Sequence, residues 1–122
     1  GSLDSVPAQG TSSFGELFEA FVIQEIDRLN HYWSKDFRLS FYRTKGGSEV
    51  DLILSKGRST ILIEIKSSER LDEVEVRQLA RLRGDFGPEA EAYYLSRDPY
   101  EVKIEGVDCL PWRKFLDQFK HF

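Results

Sequence analysis

Three residues in the middle of the chain have the types and spacing for hydrolytic chemistry: Asp51, Glu64 and Lys66. Glu64 and Lys66 alternate within Ile61-Leu62-Ile63-Glu64-Ile65-Lys66-Ser67, an otherwise apolar run that reads as a strand buried on both faces. A charge placed there costs roughly several kcal/mol unless it is paired or bound to a metal. Just upstream, Lys56-Gly57-Arg58-Ser59 predicts a hairpin, because Gly at the first central position of a two-residue loop suits a type II′ turn. With Gly57-Arg58 as that turn, Lys56 faces Ser59, Ile53 faces Leu62, Asp51 faces Glu64, and Glu49 faces Lys66. Side chains alternate along a strand, so Asp51, Glu64 and Lys66 are expected on one face.

Two facing carboxylates repel each other. A divalent cation reverses the sign, since Mg²⁺ requires hard oxygen ligands close together. Lys66 would then stand where an ammonium can stabilise charge on a phosphate or orient an attacking water. The pattern alone has a second explanation, a solvated strand face whose Lys66 pairs with a neighbour such as Glu49. The register also depends on the turn, and a bulge or a three-residue loop would shift it.

Around this hairpin, Ser13 with Glu16 forms a capping-box pattern that opens a helix. Apolar residues at 14, 17, 18, 21, 22, 26 and 29 give it a stripe, with Glu25 near the middle and Glu19 on the flank. Residues 37–45 alternate Phe37, Leu39 and Phe41 against Arg38, Ser40 and Tyr42, a half-buried strand. Residues 48–56 and 59–68 are expected to be central strands. Residues 71–86 predict a helix with Leu71, Val74, Leu79 and Leu82 inward. Further strands are expected at 91–96 and 102–110, and a terminal helix at 111–119 opened by a proline. The order α-β-β-β-α-β, then β-α, predicts an α/β or α+β layered domain.

Composition narrows the classes. A chain of 122 residues with 40% apolar content, nine Phe, five Tyr and two Trp suits one globular domain. Residues 1–13 read as a flexible lead-in, and the opening Gly1-Ser2 as the scar of a cleaved tag, so a longer native protein is expected. One cysteine, Cys109, excludes an internal disulfide and fits a reducing, cytoplasmic setting. No apolar run approaches a membrane span, and no membrane partner is expected. The net charge of −4 argues against a generic polyanion binder, although Arg77 and Arg81, one helical turn apart, could touch phosphate. Pairing of these two arginines with Glu73 and Glu75 explains them equally well. Two histidines and one cysteine cannot form an ordinary zinc site, and no Gly-x-Ser-x-Gly elbow is present.

The assembled residues resemble the PD-(D/E)xK nuclease superfamily, with its restriction-endonuclease-like core of α-β-β-β-α-β and a central mixed sheet flanked by helices. The family's acid at the start of the second strand matches Asp51, its Glu-x-Lys matches Glu64-Ile65-Lys66, and its first-helix acid matches Glu19. Four ordered blocks, "GELFEAFVIQEI", "FYRTKGGSEVDLIL", "ILIEIKSS" and "GVDCLPWRKFL", are similar to the nuclease-like domain that follows an AAA+ ATPase module in archaeal-type ATPases. The resemblance covers roughly residues 14–117, within a single domain expected over 14–122. It implies Mg²⁺ or Mn²⁺ on Asp51, Glu64 and the Ile65 carbonyl, Lys66 as catalytic lysine, and Glu19 as accessory acid, with Glu25 the second candidate. It further implies DNA as substrate, contacts from Arg43, Lys45, Arg77, Arg81 and weakly Gln78, an ATPase module in the full-length protein, and a homodimer as an option. Val50 replaces the motif's Pro, and no Walker-type loop is present. A catalytically silent DNA-binding or docking module is the alternative, since fold does not fix chemistry.

Overall fold

The computed structural model describes residues 12–43 and 49–122, with only the backbone of Ser12 and Glu49. The lead-in to residue 11 and Lys45 lie outside the described residues. Helix α1 (Ser12–Tyr32) begins one residue before the expected cap, so Ser13 sits in its first turn. Strands β1 (Arg38–Arg43), β2 (Glu49–Lys56) and β3 (Ser59–Ile65) follow, then α2 (Glu73–Gly84), β4 (Glu91–Ser96), β5 (Val102–Ile104), β6 (Val107–Pro111) and α3 (Trp112–Gln118). The six strands form one mixed sheet in the order β1-β2-β3-β4-β6-β5. β1, β2 and β3 run antiparallel; β3, β4 and β6 run parallel; β5 caps the far edge antiparallel to β6.

Each face of the sheet buries its own core. α1 presents Phe18, Val22 and Ile26 to Leu52, Leu54, Ile61, Ile63 and Ile65, joined by Phe115 and Phe119 at the C-terminal end. Trp112 closes this layer edge-on against Phe18 at 5.6 Å. α2 covers the other face, with Val76 and Leu79 packed near Val50, Ile53, Leu62, Tyr94, Val107 and Cys109. A continuous apolar β3 is what a strand covered on both faces requires.

At the end of α1 the chain reverses through Ser34 and Asp36, both non-glycine residues with φ of 50° and 63°. The buried Asn30 amide holds that reversal by donating to the Phe37 carbonyl at 2.9 Å and accepting the Phe37 N–H at 3.0 Å.

The hairpin register follows the turn, from Lys56–Ser59 through Leu52–Ile63. Gly57 carries φ 58° while Arg58 is not left-handed, which fits the type II′ expectation. Three other expectations are corrected. Phe41 is 72% exposed, and Tyr42 packs edge-on against Phe86 at 5.2 Å, because α2 reaches this end of the sheet on its own face while the core beneath α1 extends along β1 only as far as Leu39. Val74 is 63% exposed and Val76 fully buried, because the helix starts after the N-cap Asp72 and takes its phase from Val76 and Leu79. The expected strand 102–110 is a hairpin, since Glu105 and Gly106 both have positive φ, the signature of a type I′ turn.

Candidate functional site

The site lies where β2 and β3 part. Ser40 pairs with Ile53 and Tyr42 with Val50, so two residues of β2, Asp51 and Leu52, stand opposite Phe41 alone. This β-bulge explains why Val50 and Ile53, three residues apart, share one core. From the turn, alternate pairs of the hairpin lead through Leu52–Ile63 to Val50–Ile65, but the ladder stops at Leu52–Ile63. The Ile65 N–H donates instead to Asp51 Oδ2 at 2.7 Å. Bulges re-aim side chains, and here the carboxylate takes over a main-chain partner of the strand beside it.

Glu64 is half-buried within hydrogen-bonding reach of Asp51. Burial, then the Asp51 hydrogen bond and charge, push its carboxyl pKa up to about 10, against a smaller opposing pull from Lys66. At neutral pH Glu64 therefore keeps its proton, which it turns toward Asp51. Burial works against the Lys66 ammonium, but the Glu75 hydrogen bond and the Glu64, Glu75 and Asp51 charges outweigh it and raise its pKa. The Lys66 N–H is fixed by the Leu95 carbonyl at 2.9 Å, and its Nζ sits 3.1 Å from Glu75 Oε2.

Asp51, Glu64 and Lys66 are thus brought together beside the Ile65 backbone, although the ladder ends before the Asp51–Glu64 and Glu49–Lys66 pairs that the hairpin count expects. Glu19 is half-buried on α1, one turn after Gly15, whose Cα faces Ser67 so closely that a Cβ would lie 3.4 Å from its hydroxyl. This puts the first turns of α1 beside the end of β3. Glu25 is held by Arg28 at 3.0 Å. Arg77 bridges Glu73 and Glu105, each at 3.1 Å, while Arg43, Gln78 and Arg81 are exposed. Among the described residues, no three His, Cys, Asp or Glu side chains are arranged to enclose a metal ion. The expected donor set needs only two such side chains and a main-chain carbonyl.

Sequence reasoning missed Glu75 and Tyr94. The sequence offers Glu75 only as an alternative partner, with Glu73, for Arg77 and Arg81; in the fold it pairs with Lys66 and accepts the Tyr94 hydroxyl at 3.0 Å. The signal was available: Val76 and Leu79 as the inward residues put Glu75, four before Leu79, on the inner flank of α2.

The fold and site define an α/β domain with a helix-flanked, six-stranded mixed sheet and a carboxyl pair beside a lysine where the central strands diverge. The chain belongs to the family described as Domain of unknown function (DUF4143), whose model matches residues 14–115. No curated protein matches it. Among the described residues no helix is long and apolar enough to cross a membrane.

Proposed function

We propose that this domain is a divalent-metal-dependent nuclease of the PD-(D/E)xK type, hydrolysing DNA phosphodiesters on a restriction-endonuclease-like core. The observation that carries the reading is the half-buried Asp51 and Glu64 carboxyls, brought together where the hairpin ladder stops and the Ile65 N–H turns to Asp51, with the Lys66 ammonium beside them. That donor set suits a hard cation, since oxygen ligands crowded together and short of positive charge are what Mg²⁺ or Mn²⁺ takes. Asp51, Glu64 and the Ile65 carbonyl would hold the ion, with Glu19 an accessory acid on α1. A bound ion supplies Lewis-acid chemistry, lowering the pKa of water and polarising a phosphate oxygen. Glu64 would give up its proton on binding an ion, so affinity rises with pH. Lys66 offsets the negative charge that grows on the phosphate as the bond breaks.

One second reading is a silent DNA-binding or docking module of an AAA+ ATPase, and the acidic net charge speaks for its docking form. Nicking of supercoiled plasmid in Mg²⁺ or Mn²⁺ separates the two. The nuclease reading expects wild type to nick, and Asp51→Ala and Lys66→Ala to lose on the order of 100-fold or more. Equal nicking by all three proteins sinks it, and DNA retention without nicking supports the docking module.

A further inference from the structure

Glu75 is the third residue of α2 after the N-cap Asp72, whose side chain accepts the Val74 and Glu75 N–H groups. An acid at this position ordinarily reaches back to the N–H of the cap residue. Here the Tyr94 hydroxyl stands between them. The Asp72 N–H donates to it at 3.4 Å, and it donates to Glu75 Oε1 at 3.0 Å. This insertion leaves Glu75 Oε2 for Lys66 Nζ.

The source of that hydroxyl matters. Tyr94 belongs to β4 and its side chain is fully buried, so only its polar tip emerges at the site. The next residue, Leu95, holds the Lys66 N–H. Two adjacent residues of one central strand thereby fix both ends of the lysine, Leu95 directly and Tyr94 through Glu75. A lysine side chain has many rotamers, and a free one would lose much of that freedom on engaging a phosphate.

We propose that Tyr94 and Glu75 are positioning residues, a relay from β4 through the first turn of α2 that aims the Lys66 ammonium along the Asp51–Glu64 pair before substrate arrives. The inference rests on the nuclease reading. An ammonium has three donors, and Glu75 Oε2 takes one of them, leaving others for a phosphate oxygen. Glu75 acts through Lys66 and Tyr94 acts through Glu75, so their effects are coupled rather than additive.

The test is single-turnover cleavage of duplex DNA in Mn²⁺ by the whole chain and by Glu75→Gln, Tyr94→Phe and the double variant. DNA affinity and the ¹⁵N resonance of Lys66 Nζ are followed in parallel. The relay expects Glu75→Gln to slow cleavage at saturating DNA by about ten-fold with affinity unchanged. Tyr94→Phe slows it a few-fold, and the double variant is no slower than Glu75→Gln. The Lys66 Nζ signal is sharp in wild type and broadened in Glu75→Gln. An active wild type with unaffected variants overturns the relay alone, as do multiplying losses in the double variant. Faster cleavage by Glu75→Gln overturns it too, by making Glu75 a group that withholds Lys66. A wild type that cuts no DNA overturns the nuclease reading, and the catalytic role of the relay with it.

Discussion

Replacing Glu64 by Gln is expected to stabilise the metal-free protein, an unusual outcome for a residue at a candidate active site. In the fold the Glu64 carboxyl keeps its proton up to about pH 10, whereas in the unfolded chain it ionises near the ordinary 4.5. The folded state therefore binds the extra proton between these values, and stability falls as pH rises through that window. The slope is at most about 1.4 kcal/mol per pH unit, which accumulates to a ceiling of about 3 kcal/mol by pH 7. Partial exposure and relaxation of the pair reduce this to about 1–2 kcal/mol. A Gln side chain cannot ionise, and its amide can still donate to Asp51, so Glu64→Gln removes the slope while keeping the hydrogen bond. Urea denaturation in EDTA at pH 6, 7 and 8 reads this directly. Wild type should weaken with pH, and the variant should stay level and exceed it at pH 8. A flat wild-type profile, or a variant less stable than wild type at pH 8, refutes the reasoning that Glu64 keeps its proton.

Other predictions concern the frame. Asn30→Ala leaves the Phe37 N–H and carbonyl without the amide that satisfies both. It should cost about 2–3 kcal/mol in denaturant melts, and a cost below about 0.5 kcal/mol would contradict the role given to that amide. Cys109 is buried, and burial, then Asp108 and Asp98, push its thiol up to about 11. Iodoacetamide at pH 8 should leave the folded protein unlabelled by mass spectrometry and alkylate it readily in urea. Rapid labelling without denaturant would mean that this core opens.

Much of the site was legible because a two-residue turn fixes register by counting. Gly57-Arg58 alone aligned the hairpin and pointed Asp51 at Glu64, and the ladder down to Leu52–Ile63 has that register. What the sequence hid were features set by tertiary contacts. The bulge at Asp51–Leu52 leaves no residue signature, yet it frees the Ile65 N–H for Asp51. Phe41 looked inward by alternation, but alternation gives the face and not how far a helix covers it. Val74 and Val76 are both apolar and β-branched. Either choice leaves Glu75 on or beside the inner face of the helix, but nothing in the sequence says that Lys66, on another element, is what it meets there. Glu105-Gly106 splits an apolar run only by its φ angles, for which glycine supplied half the signal.

The most direct test of the site is calorimetric titration of Mn²⁺ into the protein at pH 7, in two buffers of different ionisation enthalpy. If the proton between Asp51 and Glu64 occupies the place of a cation, wild type binds one ion per chain and releases about one proton, and Asp51→Asn loses both. Absence of binding by wild type, or undiminished binding by Asp51→Asn, would contradict the assignment of this carboxyl pair as the metal site.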